Sequence, residues 1–145
     1  MRKGNASLAF LFLFFAFSDA AHAFTEDLLD RRTYAVELTK AQEASGIPDT
    51  LSFQKGQFMS EFSAGHGYEK ADYKATVTSG IITFSAQIAS KEGGIQTWSG
   101  TITSREIVGV MSAVEKVKEK IKEKGKEKEV EKIKTSEFSF KGSQQ

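Results

Sequence analysis

Residues 81–111, IITFSAQIASKEGGIQTWSGTITSREIVGVM, decide the fold. Apolar residues recur at every second position and turn-forming clusters interrupt them, the pattern of three successive antiparallel strands. With Ser104 and Arg105 as a hairpin tip, Ile102 falls opposite Ile107, Gly100 opposite Gly109 and Trp98 opposite Met111, all on one face. Large, small and large rungs in that order suit a curved sheet, because glycines make room where the interior is most crowded.

Upstream, Tyr73, Ala75 and Val77 alternate before Ser79-Gly80, a two-residue tip that sets Val77 beside Ile82, Ala75 beside Phe84 and Tyr73 beside Ala86. An odd-numbered turn around Lys91 to Gly94 keeps Phe84 and Trp98 on one face. One such register lays the Phe84 ring beside Gly100, an aromatic covering a glycine gap. Lys55-Gly56 is another tip, opposing Phe53 to Phe58 and Leu51 to Ser60. Thr33 to Thr39 reads as the first strand through Tyr34, Val36 and Leu38, and Glu137 to Lys141 as the last through Phe138 and Phe140. Residues 24–32 suit a short helix docked by Phe24, Leu28 and Leu29. Residues 40–48 read as a connection with Pro48 at its boundary, and Ser63 to Asp72 as a loop at one end of the sheet.

Seven or eight strands joined by tight turns, with no βαβ pattern, imply an all-β, antiparallel up-and-down barrel in which the first strand meets the last. Residues 115–134 interrupt it with nine Lys, six Glu, four aliphatic residues and Gly125. Lys and Glu propagate helix well, and Val114, Val117 and Ile121 form a narrow stripe at helical spacing, so the expectation is a helical arm outside the barrel, whole or broken at Gly125. The competing reading is an extended hairpin with Gly125 at its tip, because Lys occupies almost every even position and Glu or an aliphatic almost every odd one.

The chain has 145 residues. Arg2 and Lys3, the apolar run from Ala6 to Ser18 and the small-x-small site at Ala21-His22-Ala23 read as a secretory signal peptide over residues 1–23. As a helix that run would rise only about 20 Å, against the roughly 30 Å of hydrocarbon that a membrane span must cross. The expected mature chain, residues 24–145, is one domain without a transmembrane segment, exported to the periplasm or the exterior. Removing Arg2 and Lys3 from 20 basic residues and Asp19 from 19 acidic ones leaves 18 of each. Such neutrality argues against nucleic acid as a partner. Cysteine is absent. That excludes disulfides, thiol catalysis and a lipid carried on cysteine, so the core alone must hold the fold.

Several short motifs run through the chain: Tyr34-x-Val36-x-Leu38; Asp49-x-Leu51-x-Phe53-x-x-Gly56-x-Phe58-x-Ser60; Gly67-Tyr68 with Tyr73; Phe84; Ser90-x-x-Gly93; Trp98-x-Gly100-x-Ile102; and Ile107-x-Gly109. Together they resemble a family of small exported bacterial proteins with a lipocalin-like or avidin-like barrel. The resemblance covers most of residues 34–111 and the last strand. It implies fold and export and carries no activity. The Lys and Glu arm departs from it, since a plain short turn is the family pattern there.

For function, the face carrying Trp98, Gly100, Gly109, Met111, Phe84 and Tyr73 is the candidate lining for a small apolar or amphiphilic ligand. The alternative is that Trp98 is core filler, since an eight-stranded barrel is just wide enough for its own side chains. A second candidate is the arm, as the contact surface of a structural or interaction module of the cell envelope, with an envelope protein as partner. Its glutamates cancel most of the field that its lysines would offer to anionic lipid. His66, near Glu61, Tyr68, Glu69 and Asp72 in sequence, lacks the recurrent spacing of a metal site, and no nucleophile elbow is visible. The reading is therefore a non-enzymatic protein without a cofactor.

Overall fold

The structure is a computed structural model that describes residues 28–145. The proposed signal segment, and Phe24 to Asp27 of the expected short helix, lie outside the described residues. Leu28 and Leu29 are helical, and Leu29 docks fully buried while Leu28 stays exposed.

Nine strands follow: β1 (Arg32–Lys40), β2 (Gly46–Gln54), β3 (Gln57–Ser60), β4 (Tyr68–Glu69), β5 (Ala71–Thr78), β6 (Ile81–Ser90), β7 (Ile95–Thr103), β8 (Glu106–Glu123) and β9 (Lys126–Gln144). One helical turn, α1 (Glu61–Ala64), stands between β3 and β4. All pairings are antiparallel, and they run β6-β5-β3-β2-β1-β9-β8-β7 and back to β6, so eight strands close a ring with β4 attached to β6. Closure gives every strand of the ring a neighbour on each side, although the pairing does not run the full length of each strand. Its thinnest seam joins β3 to β5 through only Gln57↔Asp72 and Phe58↔Ala71.

The registers read from the turns are the observed ones. Trp98 faces Met111, Gly100 faces Gly109 and Ile102 faces Ile107. Tyr73↔Ala86, Ala75↔Phe84 and Val77↔Ile82 hold, as do Phe53↔Phe58 and Leu51↔Ser60. β1 meets β9 through Leu38↔Phe140. The two-residue tips at Lys55-Gly56, Ser79-Gly80 and Lys124-Gly125 have positive φ at both positions, whose twist matches that of the flanking strands and fixes register without a bulge.

Three expectations are corrected. The charged arm is not a helix: β8 and β9 run on past the ring as a two-stranded ribbon, register-paired from Glu115↔Lys134 to Glu123↔Lys126 with Lys124-Gly125 at the tip. Propensity loses here because β8 and β9 are already aligned in the ring, and extending their ladder keeps every backbone partner in phase. Extension also sets Lys opposite Glu at Lys118↔Glu131, Lys120↔Glu129 and Lys122↔Glu127. Second, Pro48 lies inside β2, opposite Glu37. It is tolerated because β3 pairs only with Leu51 to Gln54, leaving this part of β2 with a free edge. Third, the segment read as a loop, Ser63 to Asp72, holds the second half of α1, all of β4 and the start of β5, and α1 is capped where Ser60 Oγ accepts from the Ser63 N–H.

Candidate functional site

The closed ring brings the six candidate residues together in its interior. Phe84, Gly100, Gly109 and Phe140 form one continuous rung across four strands. The two phenylalanine rings converge over the glycines with centroids 6.5 Å apart. A Cβ on Gly109 would lie 2.5 Å from Phe140 Cζ and collide with the Ser99 carbonyl, and one on Gly100 would lie 2.5 Å from the Val108 carbonyl oxygen. Glycine is therefore required here by close approach. The next rung runs Tyr73, Ala86, Trp98, Met111 and Phe138.

These side chains touch one another. Phe53 stands among Tyr34, Phe58, Tyr73 and Phe84 at centroid distances of 6.0, 5.4, 5.0 and 5.1 Å. Trp98 packs on Phe58 and Phe140 at 5.3 and 5.4 Å. Trp98, Phe84, Met111 and Tyr73 are 0, 1, 1 and 2% exposed. Phe53 and Phe140, which were not among the candidate residues, are central to this cluster, and their alternation within their strands was the available signal.

Near the end of the ring from which the ribbon leaves, a chain of polar groups lies behind α1. Trp98 Nε1 donates to Gln96 Oε1 at 3.1 Å, and Ser63 Oγ donates to the same oxygen at 2.5 Å. Ser60 Oγ donates to Asp49 Oδ2 at 2.5 Å, and Asp49 Oδ1 accepts from the Phe62 and Thr50 N–H groups at 2.8 and 2.7 Å. Burial raises the Asp49 pKa above the ordinary carboxylate value, while these three hydrogen bonds pull the other way. The Tyr68 hydroxyl is likewise raised, by burial and by Glu115 at the base of the ribbon. A side chain at Gly94 would strike that hydroxyl. Among the described residues no buried side-chain polar atom lacks a partner. The network is thus an internally satisfied seal that ties α1 to β2 and β7.

His66 is exposed, its Nδ1 donating to the Phe62 carbonyl at 2.9 Å and its ring lying 4.6 Å from the Phe62 ring. Among the described residues no three His, Cys, Asp or Glu side chains form a cluster able to hold a metal, and no helix is long and apolar enough to cross a membrane. Two open crevices, of about 390 and 440 Å³, border the ring. The first lies between residues 39–43 and the outer side of β8 and β9, and reaches Met111 and Phe138. The second lies beside Pro48, Asp49 and Phe62.

The class defined by these features is an all-β protein, a closed antiparallel ring around a packed aromatic interior with a charged ribbon projecting from it. No family model, curated protein or solved structure matches this chain.

Proposed function

We propose that this is an exported, non-enzymatic interaction module of the cell envelope, built on a lipocalin-like or avidin-like barrel and acting through its outer surface and its Lys and Glu ribbon. One observation carries the reading: the side chains that would line an internal pocket are in contact with one another, with Trp98 wholly buried among Phe58 and Phe140. A drug-sized ligand needs roughly 300 Å³ or more of concave space. The ribbon, by contrast, runs about 30 Å past the ring, at about 3.3 Å per residue. It is solvated on both faces and carries a net charge of +3.

The test exploits the register. Lys116 and Ile133 are partners, so a two-residue turn can replace residues 117–132 while keeping Glu115, the partner of the Tyr68 hydroxyl, in place. In cells, this truncation is expected to lose site-specific cross-links to envelope protein while keeping the parent's melting temperature. Undiminished cross-linking by the truncated protein would overturn the reading. A second reading is favoured by the crevice that reaches Met111 and Phe138, which is large enough for a small amphiphile. Native mass spectrometry of the purified exported protein distinguishes it by an added ligand mass.

A further inference from the structure

We infer that the outer face of β8 is a self-association surface, on which a second copy of this chain docks about a two-fold axis. The inference does not rest on the ribbon's role. Five of the seven exposed large apolar side chains among the described residues lie together here: Val108, Val110 and Val114 on β8, Ile95 on β7 and Ile133 on β9. Ile95 is the direct cross-strand partner of Val114, and Ile133 lies one rung beyond it on the same face. Between them stand small residues, Thr97, Ser99, Thr101, Ser112 and Ser139. A contiguous apolar patch rimmed by polar groups marks an interaction site more often than a bare surface.

Charge placement selects the occupant. On β8 the patch is bounded by Glu106 at one end and Lys116 at the other, equidistant in sequence from Met111. On β9, Lys141 and Glu137 flank Ser139, whose partner is Val110. Both acid and base pairs are therefore centred within one residue of the same point on β8, with opposite signs on either side. A two-fold axis running across the strands at that point reverses strand direction and lays each acid near a base. Glu106 then meets the Lys116 region of the second copy, Lys141 meets its Glu137, Val108 packs near its Val114, and Val110 lies close to its own counterpart. Two sheets stacked face to face with nearly aligned strand axes satisfy this geometry. The surface is self-complementary, which an isologous contact demands. It is also only three strands wide, so the dimer is a reversible one that forms with rising concentration.

Sedimentation velocity over a concentration series reads this directly. The parent protein is expected to pass from monomer to dimer, and Val110→Lys to raise the dimer dissociation constant by about tenfold or more, with an unchanged melting temperature because the side chain is exposed. Lys141→Glu should weaken the dimer, and adding Glu137→Lys should restore it, since the swap rebuilds each pair across the axis. A parent that stays monomeric throughout, or a dimer indifferent to Val110→Lys, would overturn the inference. So would a double charge swap no tighter than Lys141→Glu alone.

Discussion

At Gly109 the absence of a side chain lets β7, β8 and the Phe140 ring approach closely. A methyl there would press on Phe140, on Gly100 and on the Ser99 carbonyl, two of which are backbone and cannot swing aside. Gly109→Ala is expected to cost about 1–3 kcal/mol in urea unfolding, as overpacking does. Phe140→Ala, which empties the other side of the same contact, is expected to cost about 3–5 kcal/mol. Asp49 carries a different signature. Its pKa is raised on folding, so the protonated form is favoured by the native state. The stability it contributes is whole below the unfolded carboxyl pKa and is lost as pH rises through the raised native value. Asp49→Asn should therefore flatten the fall in stability across that window. Unfolding free energy measured for both proteins over a pH series checks this, parallel curves being the contrary result.

At the scale of elements the ribbon is the most informative. Each strand of it carries Lys on one face and Glu or an aliphatic on the other, in opposite phase to its partner. The hairpin is thus complementary to itself, whereas two ribbons paired edge to edge through β8 about a two-fold axis would lay the Lys116 to Lys122 row beside its own copy. That arrangement keeps a long exposed edge from templating aggregation. The individual ion pairs are weak. Lys132 reaches Glu119 at 2.9 Å, but both are exposed, so Glu119→Ala should leave the melting temperature of the protein essentially unchanged. Hydrogen exchange should find ribbon amides opening readily and the ladder through Gly100 and Gly109 protected almost to global unfolding. The helix expectation for this segment failed for a physical reason. Helix propensity is a property of the isolated segment, while strand pairing is inherited from neighbours already aligned in the ring. The strict Lys and Glu alternation was the part of the pattern that carried the answer.

For the molecule as a whole, strand order and register were legible because two-residue tips at Lys55-Gly56, Ser79-Gly80 and Ser104-Arg105 leave one pairing that keeps the apolar face inward. The rung through Gly100 and Gly109 announced closure for the same reason. The state of the interior was less legible. Alternation tells which side chains point inward, but whether they meet depends on ring width and on side chains from β1, β2 and β9 converging from distant parts of the chain. Phe53 and Phe140 close that space, and neither is near Trp98 in sequence. Asp49, Ser63 and Gln96 were equally hard to find, being polar residues whose partners are assembled only by the fold.

Trp98 is the sole tryptophan, which makes the packed interior directly observable. Its fluorescence in the native protein should be blue-shifted, shielded from acrylamide until unfolding, and unmoved by apolar or amphiphilic compounds. Emission from a water-exposed indole, ready quenching, or a saturable change on adding such a compound would contradict a solid core and return the binding site to the inside of the ring.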